Sequence, residues 1–142
     1  MKSFAWAWLV LGLLMAVPVA LKAQDGSSAA KVELGRNYPN PFNPETFIPF
    51  TIPGSVFAGG HRPVVSVRIY NVLAQLVAIP ILQGSGDALE NLPLDWNGTG
   101  SYVAYWDGKL RGSGRETPSG VYVYQLVVDG KPFKSLKMTV AK

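Results

Sequence analysis

The strongest constraint on this chain is a period-two alternation of apolar side chains that recurs in short runs. Ile48, Phe50 and Ile52 alternate with Phe47, Pro49 and Thr51, and Val65, Val67 and Ile69 with Ser66, Arg68 and Tyr70. Tyr122, Tyr124 and Leu126 alternate with Val121, Val123 and Gln125, and Leu136, Met138 and Val140 with Ser135, Lys137 and Thr139. Gln75 to Leu82 and Ser101 to Trp106 add two further runs. Successive side chains on a strand point to opposite faces, so each run reads as a half-buried strand. Turn residues separate the runs: 15 glycines and 11 prolines in 142 residues, where the two together usually make up about 12%. The pattern predicts a two-sheet antiparallel sandwich of about seven strands. Asp129-Gly130 between two alternating runs predicts a hairpin pairing Val121–Val128 with Pro132–Val140. Pro49 and Pro80 cannot donate to a ladder, which predicts sheet edges for them. The Gly-rich stretch Gln83–Gly100 reads as a long loop holding one short strand, Leu92–Trp96.

Composition narrows the chemistry. There is no cysteine and one histidine, His61, which excludes disulfides, thiol catalysis and cysteine or multi-histidine metal centres. The formal charge is +4, and Lys2 and Lys22 supply half of that excess. The remaining cations are scattered, so the chain lacks the clustered basic face of a nucleic-acid binder. Residues 1–23 combine a basic start, an uncharged apolar run from Phe4 to Leu21, and a small residue, Ala23. That is the layout of a signal peptide, in a run also long enough, at the lower limit of about 17–25 residues, to span a bilayer. Both readings place the rest of the chain outside the cytoplasm, with membrane contact only if the leader is retained. Residues 24–33 read as a flexible linker and 34–142 as the folded domain.

Asn37-Tyr38-Pro39-Asn40-Pro41-Phe42-Asn43-Pro44 is the most unusual stretch. Its prolines fix φ and push the preceding residues into extended geometry, while Asn40 and Asn43 suit Asx turns. The expected role is a stiff lead-in seating Tyr38 and Phe42 against the core.

This stretch begins a resemblance that runs from Leu34 to Lys142. Leu34, Asn37–Pro44, Thr46, Ile48, Phe50 and Pro53 form its first block, and Val65, Val67, Ile69-Tyr70-Asn71, Gln75 and Val77 its second. Gly100, Trp106-Asp107-Gly108, Ser119-Gly120-Val121-Tyr122, Tyr124 and Leu126 form the third, and Lys137-Met138 with Lys142 the ending. In this order the blocks resemble the type A C-terminal sorting domain of the type IX secretion system, related to the immunoglobulin-like domain of flagellar hook-capping proteins. The resemblance implies an immunoglobulin-like antiparallel β-sandwich read by protein partners in the cell envelope. It makes Trp106, Asp107, Lys131, Lys134, Lys137 and Lys142 candidate contacts, and Asn37–Pro44, Gly108, Gly120 and Tyr122 structural motif residues. Ala74 stands where the family has a turn glycine, Leu110 replaces a polar residue, and Gln83–Trp96 is longer than typical. The family's domain ends a large secreted protein, whereas here it follows the leader almost at once. A second reading retains the leader and makes the chain a membrane-anchored structural subunit of an envelope complex. A third is an address domain that has lost its cargo.

No residues combine into catalytic machinery at sequence level. Asp107 reads as a turn aspartate bonding its own loop. Asp87, Glu90 and Asp95 lack the oxygen spacing of a calcium loop. His61 has no carboxylate near it in sequence, and Ser119 lacks a nucleophile-elbow pattern. Asn97-Gly98-Thr99 matches a glycosylation acceptor, a pattern short enough to arise by chance. The expectation is a binding module with no cofactor, no metal and no enzymatic activity.

Overall fold

The alternating runs become strands with the expected side chains inward. The structure, a computed structural model, describes residues 31–142; the leader and most of the 24–33 linker lie outside the described residues. Its strands are β1 (Glu33–Leu34), β2 (Thr46–Thr51), β3 (Val64–Tyr70), β4 (Leu76–Ala78), β5 (Ile81–Leu82), β6 (Leu92–Pro93), β7 (Ser101–Trp106), β8 (Gly120–Val128) and β9 (Lys131–Val140). The first sheet has the order β1-β2-β7-β5, and the second β4-β3-β8-β9 with β6 also on β3. Every strand pairing is antiparallel. The fold is an all-β sandwich. Ile48, Phe50, Ile52, Val65, Val67, Ile69, Tyr124, Leu126 and Met138 are buried in one core with Phe42 and Trp106. Fully burying each such large apolar side chain stabilises the fold by roughly 1.5–3 kcal/mol.

The hairpin at Asp129-Gly130 forms as expected. Both residues have positive φ, 52° and 79°, the requirement of a two-residue type I′ turn. The register then shifts: Val127 faces Pro132 while Leu126 faces Lys134. Phe133 is the extra residue, a bulge in β9.

Three expectations change. Gln75–Leu82 is two strands rather than one. The chain leaves the second sheet after Ala78 and joins the first at Ile81, crossing at Ile79-Pro80, where the proline has no N–H to continue a ladder. Pro80 thus sits between two edge strands, but Pro49 lies in β2, which has neighbours on both sides. The Pro49 carbonyl accepts from Gly35 N–H at 2.8 Å. Nitrogen and carbonyl of one residue face the same side of an antiparallel strand, so the missing donor faces the two-residue β1 and leaves the β7 ladder intact. The short strand expected at Leu92–Trp96 covers only Leu92–Pro93, paired to Val65 and Val64. A 3-10 segment at Gly54–Gly60 had no counterpart in the alternation.

Candidate functional site

Parts of the first, third and last sequence blocks meet at one end of the sandwich. Three prolines keep Asn37–Pro44 out of a helix, and long-range bonds hold it. Tyr38 and Phe47 exchange backbone bonds of 2.9 and 2.8 Å. The buried Tyr124 hydroxyl accepts from Asn37 N–H at 2.9 Å and donates to Gly35 O at 2.8 Å. One phenol on β8 therefore fixes the start of the lead-in across the core, and burial pushes its hydroxyl above the ordinary 10.0. The Asn37 amide donates to Thr46 Oγ1 at 3.0 Å, and Thr46 Oγ1 donates to Pro39 O at 3.0 Å. Asn40 makes no local turn but reaches β9, its Oδ1 accepting from Thr139 N–H at 3.0 Å. Phe42 N–H donates to Thr139 O at 3.0 Å, and Ala141 N–H to Phe42 O at 3.1 Å.

The third block closes over this brace. The Phe42 ring, 1% exposed, lies 5.4 Å from Trp106, and Trp106 lies 6.2 Å from Tyr122. Gly108 has a φ of 81°, and a Cβ there would overlap the Pro44 carbonyl oxygen, so this close approach requires glycine. The Gly108 carbonyl accepts from both the N–H and the hydroxyl of buried Thr117 at 2.9 Å. Tyr122 donates to Pro118 O at 2.8 Å, the upstream hydroxyl-to-backbone bond of a tyrosine corner. Lys142 N–H donates to Ser119 Oγ at 3.1 Å, and Lys142 Nζ pairs with Glu116 at 2.6 Å, which holds that carboxyl below the ordinary 4.5.

The residues named from sequence divide by this geometry. Phe42 is seated as expected, but Tyr38 is not: it is 50% exposed and stacks on Phe47 at 5.5 Å. With both Tyr38 and Phe47 on the outer face of the first sheet, the core side belongs to Thr46 and Ile48. Trp106 is 2% exposed and donates to Lys109 O at 3.0 Å, so its indole is a core element and offers no surface for contact. Asp107 is exposed and accepts from Lys109 N–H at 3.0 Å, bonding its own loop. Lys131, Lys134, Lys137 and Lys142 do not form one patch. Lys131 stands over the Phe133 ring at 5.2 Å beside the hairpin, whereas Lys142 is beyond the other end of a ten-residue strand, about 30 Å away. Lysines, a proline and a bulge on an edge strand are the features that block edge-to-edge pairing.

His61 has a partner that the sequence concealed: its Nε2 lies 2.8 Å from Asp129 Oδ2, 68 residues away. Val64 N–H donates to Asp129 Oδ1 at 2.9 Å. That backbone bond, with His61 second, holds the carboxyl below the ordinary 3.8. Asp95 pairs with Arg62 at 2.9 Å and Glu90 with Arg111 at 3.4 Å. Among the described residues no three His, Asp or Glu side chains converge on a metal position, and no helix is long and apolar enough to cross a membrane.

The class defined by this geometry is an all-β two-sheet sandwich with one end cross-braced by an Asn-Pro lead-in. No protein-family model, curated protein or solved structure matches the chain.

Proposed function

We propose that this chain is an exported, non-catalytic binding module, recognised by a protein partner of the cell envelope in the manner of a secretion sorting domain. The observation that supports this reading is that parts of three of the four blocks that carry the resemblance meet at one end of the sandwich. Asn37–Pro44, Trp106–Gly108, Ser119–Tyr122 and Thr139–Lys142 are bonded to one another there. In this reading the buried members, Phe42, Trp106 and Tyr122, hold the shape. The exposed residues of the Asp107–Ser119 loop and Lys142 beside them are what the partner reads. The domain acts in the periplasm, at the cell surface or in the medium, or is held at the membrane by residues 4–21. The reading involves no cofactor and no nucleic acid.

The test is delivery. Leu34–Lys142, fused to the C-terminus of an exported reporter in a host with a type IX system, should carry the reporter to the cell surface. A reporter left in the periplasm contradicts the sorting role. Intact-mass analysis of the native protein separates the two leader outcomes: a start at Gln24 is expected for the exported module. A start at Met1 with membrane co-purification favours the anchored subunit.

A further inference from the structure

The segment Gln83–Gly100 belongs to none of the converging blocks. It leaves β5 at the edge of the first sheet, crosses to β3 as β6, and returns to β7. Between it and β7 lies an open groove of about 390 Å³, within the range of about 300–1,000 Å³ common for small-ligand sites.

The groove is built before any ligand arrives. Asn97 Oδ1 accepts from Thr99 N–H, Thr99 Oγ1 and Gly100 N–H at 2.8–3.0 Å, while its amide donates to Ser101 O at 2.7 Å. Tyr102 donates to Asp95 O at 2.8 Å. Leu82 N–H donates to Asp87 O at 2.7 Å, and Gln83 N–H to Val103 O at 2.8 Å. These bonds commit the backbone and leave the lining side chains of Gln83, Asp87 and Ser101 without a hydrogen-bond partner among the described residues.

The lining also sets the ligand class. Leu82, Leu92 and Val103 supply apolar surface, and no Lys, Arg or His lines the groove. Asp95, also in the lining, pairs with Arg62 at 2.9 Å, while Asp87 has no ion pair among the described residues. An anion is therefore repelled, and a purely apolar ligand would displace water from three exposed polar side chains without replacing its hydrogen bonds. A ring with an apolar C–H face and a rim of hydroxyls satisfies both surfaces. The glutamine amide both donates and accepts, and the carboxylate accepts from hydroxyls. We infer that this groove binds a neutral saccharide, a function separate from recognition at the braced end.

The test is an NMR titration of the 15N-labelled full chain. The probes are β-1,4-linked glucose and N-acetylglucosamine tetrasaccharides and a dextran oligomer, with tetralysine and inorganic phosphate for contrast. At least one saccharide is expected to give saturable shifts confined to Gln83–Asp87 and Leu92–Val103. Gln83→Ala and Asp87→Ala, both on the surface, should each weaken that binding about fivefold, and Val72→Ser, in the β3–β4 turn, should leave it unchanged. Thermal unfolding of each variant should match the parent. The inference is overturned if no saccharide produces saturable shifts at millimolar concentration. It is equally overturned if tetralysine or phosphate binds in preference, or if saccharide binding is indifferent to Gln83 and Asp87.

Discussion

Asn37–Pro44 and Gln83–Gly100 are both irregular and rich in turn residues, yet only the second contains loops closed entirely by their own bonds. The first is fixed by groups far away in sequence: Tyr124, Thr139 and the Gly108 turn. The second is mixed: Leu89 and Leu94 are buried in the core and bond Val67 and Pro63, whereas the Leu82–Asp87 turn and the Asn97–Gly100 loop are closed by their own bonds. Long-range bonds to buried partners break only when the domain opens. Local bonds in an exposed loop can break while the core stays intact. The first region therefore opens only with the fold, whereas the Leu82–Asp87 turn and the Asn97–Gly100 loop can open while Leu89 and Leu94 stay in the core.

Substitutions should separate the two regions in order of size. Phe42→Ala removes a buried ring between the lead-in and Trp106, and should cost about 3–5 kcal/mol in chemical denaturation. Trp96→Ala, at 45% exposed and packed on Phe57 at 5.2 Å, should cost well under half of that; an equal loss would erase the distinction. Tyr124→Phe keeps the ring but strands Asn37 N–H and Gly35 O in a buried site, and should cost about 1–3 kcal/mol. Asn97→Ala removes bonds confined to its own loop, with an expected cost of about 1 kcal/mol or less. Its larger effect should be faster amide exchange at Thr99 and Gly100.

These contrasts also mark what the sequence made legible. Alternation at Ile48–Ile52, Val65–Ile69 and Tyr122–Leu126 identified inward faces correctly because period two is a local property. Asp129-Gly130 identified the hairpin because a type I′ turn needs those residue types. Tyr38 was misplaced because extended geometry alone does not say which face a ring takes. The division of Gln75–Leu82 between sheets was hidden because either half alone reads as strand. The Tyr124 bridge and the His61–Asp129 pair were invisible because topology, not spacing, brings residues 87 and 68 positions apart together.

The smallest expected effect is in pH. Asp129 and Glu116 have carboxyls held below 3.8 and 4.5 in the folded chain. The unfolded chain takes up these protons at higher pH. The stability they contribute is complete above those ordinary values and is lost as pH falls through the lower folded values. Asp129→Asn should flatten the acid limb of the stability curve below pH about 4, and Lys142→Ala should do so to a lesser degree. A steeper acid limb in either variant would contradict the assigned pairings. Both pairs sit at exposed positions, so the flattening should weaken further in salt.

Native-state amide exchange on the full chain measures the central contrast directly. The Asn37 and Phe42 amides, bonded to Tyr124 and Thr139, should exchange only through global opening, with free energies that fall with denaturant as the whole domain does. The Thr99 and Gly100 amides, bonded to Asn97, should exchange through a smaller opening that denaturant hardly affects. Exchange of Asn37 and Phe42 by a local, denaturant-insensitive opening would contradict the cross-braced end.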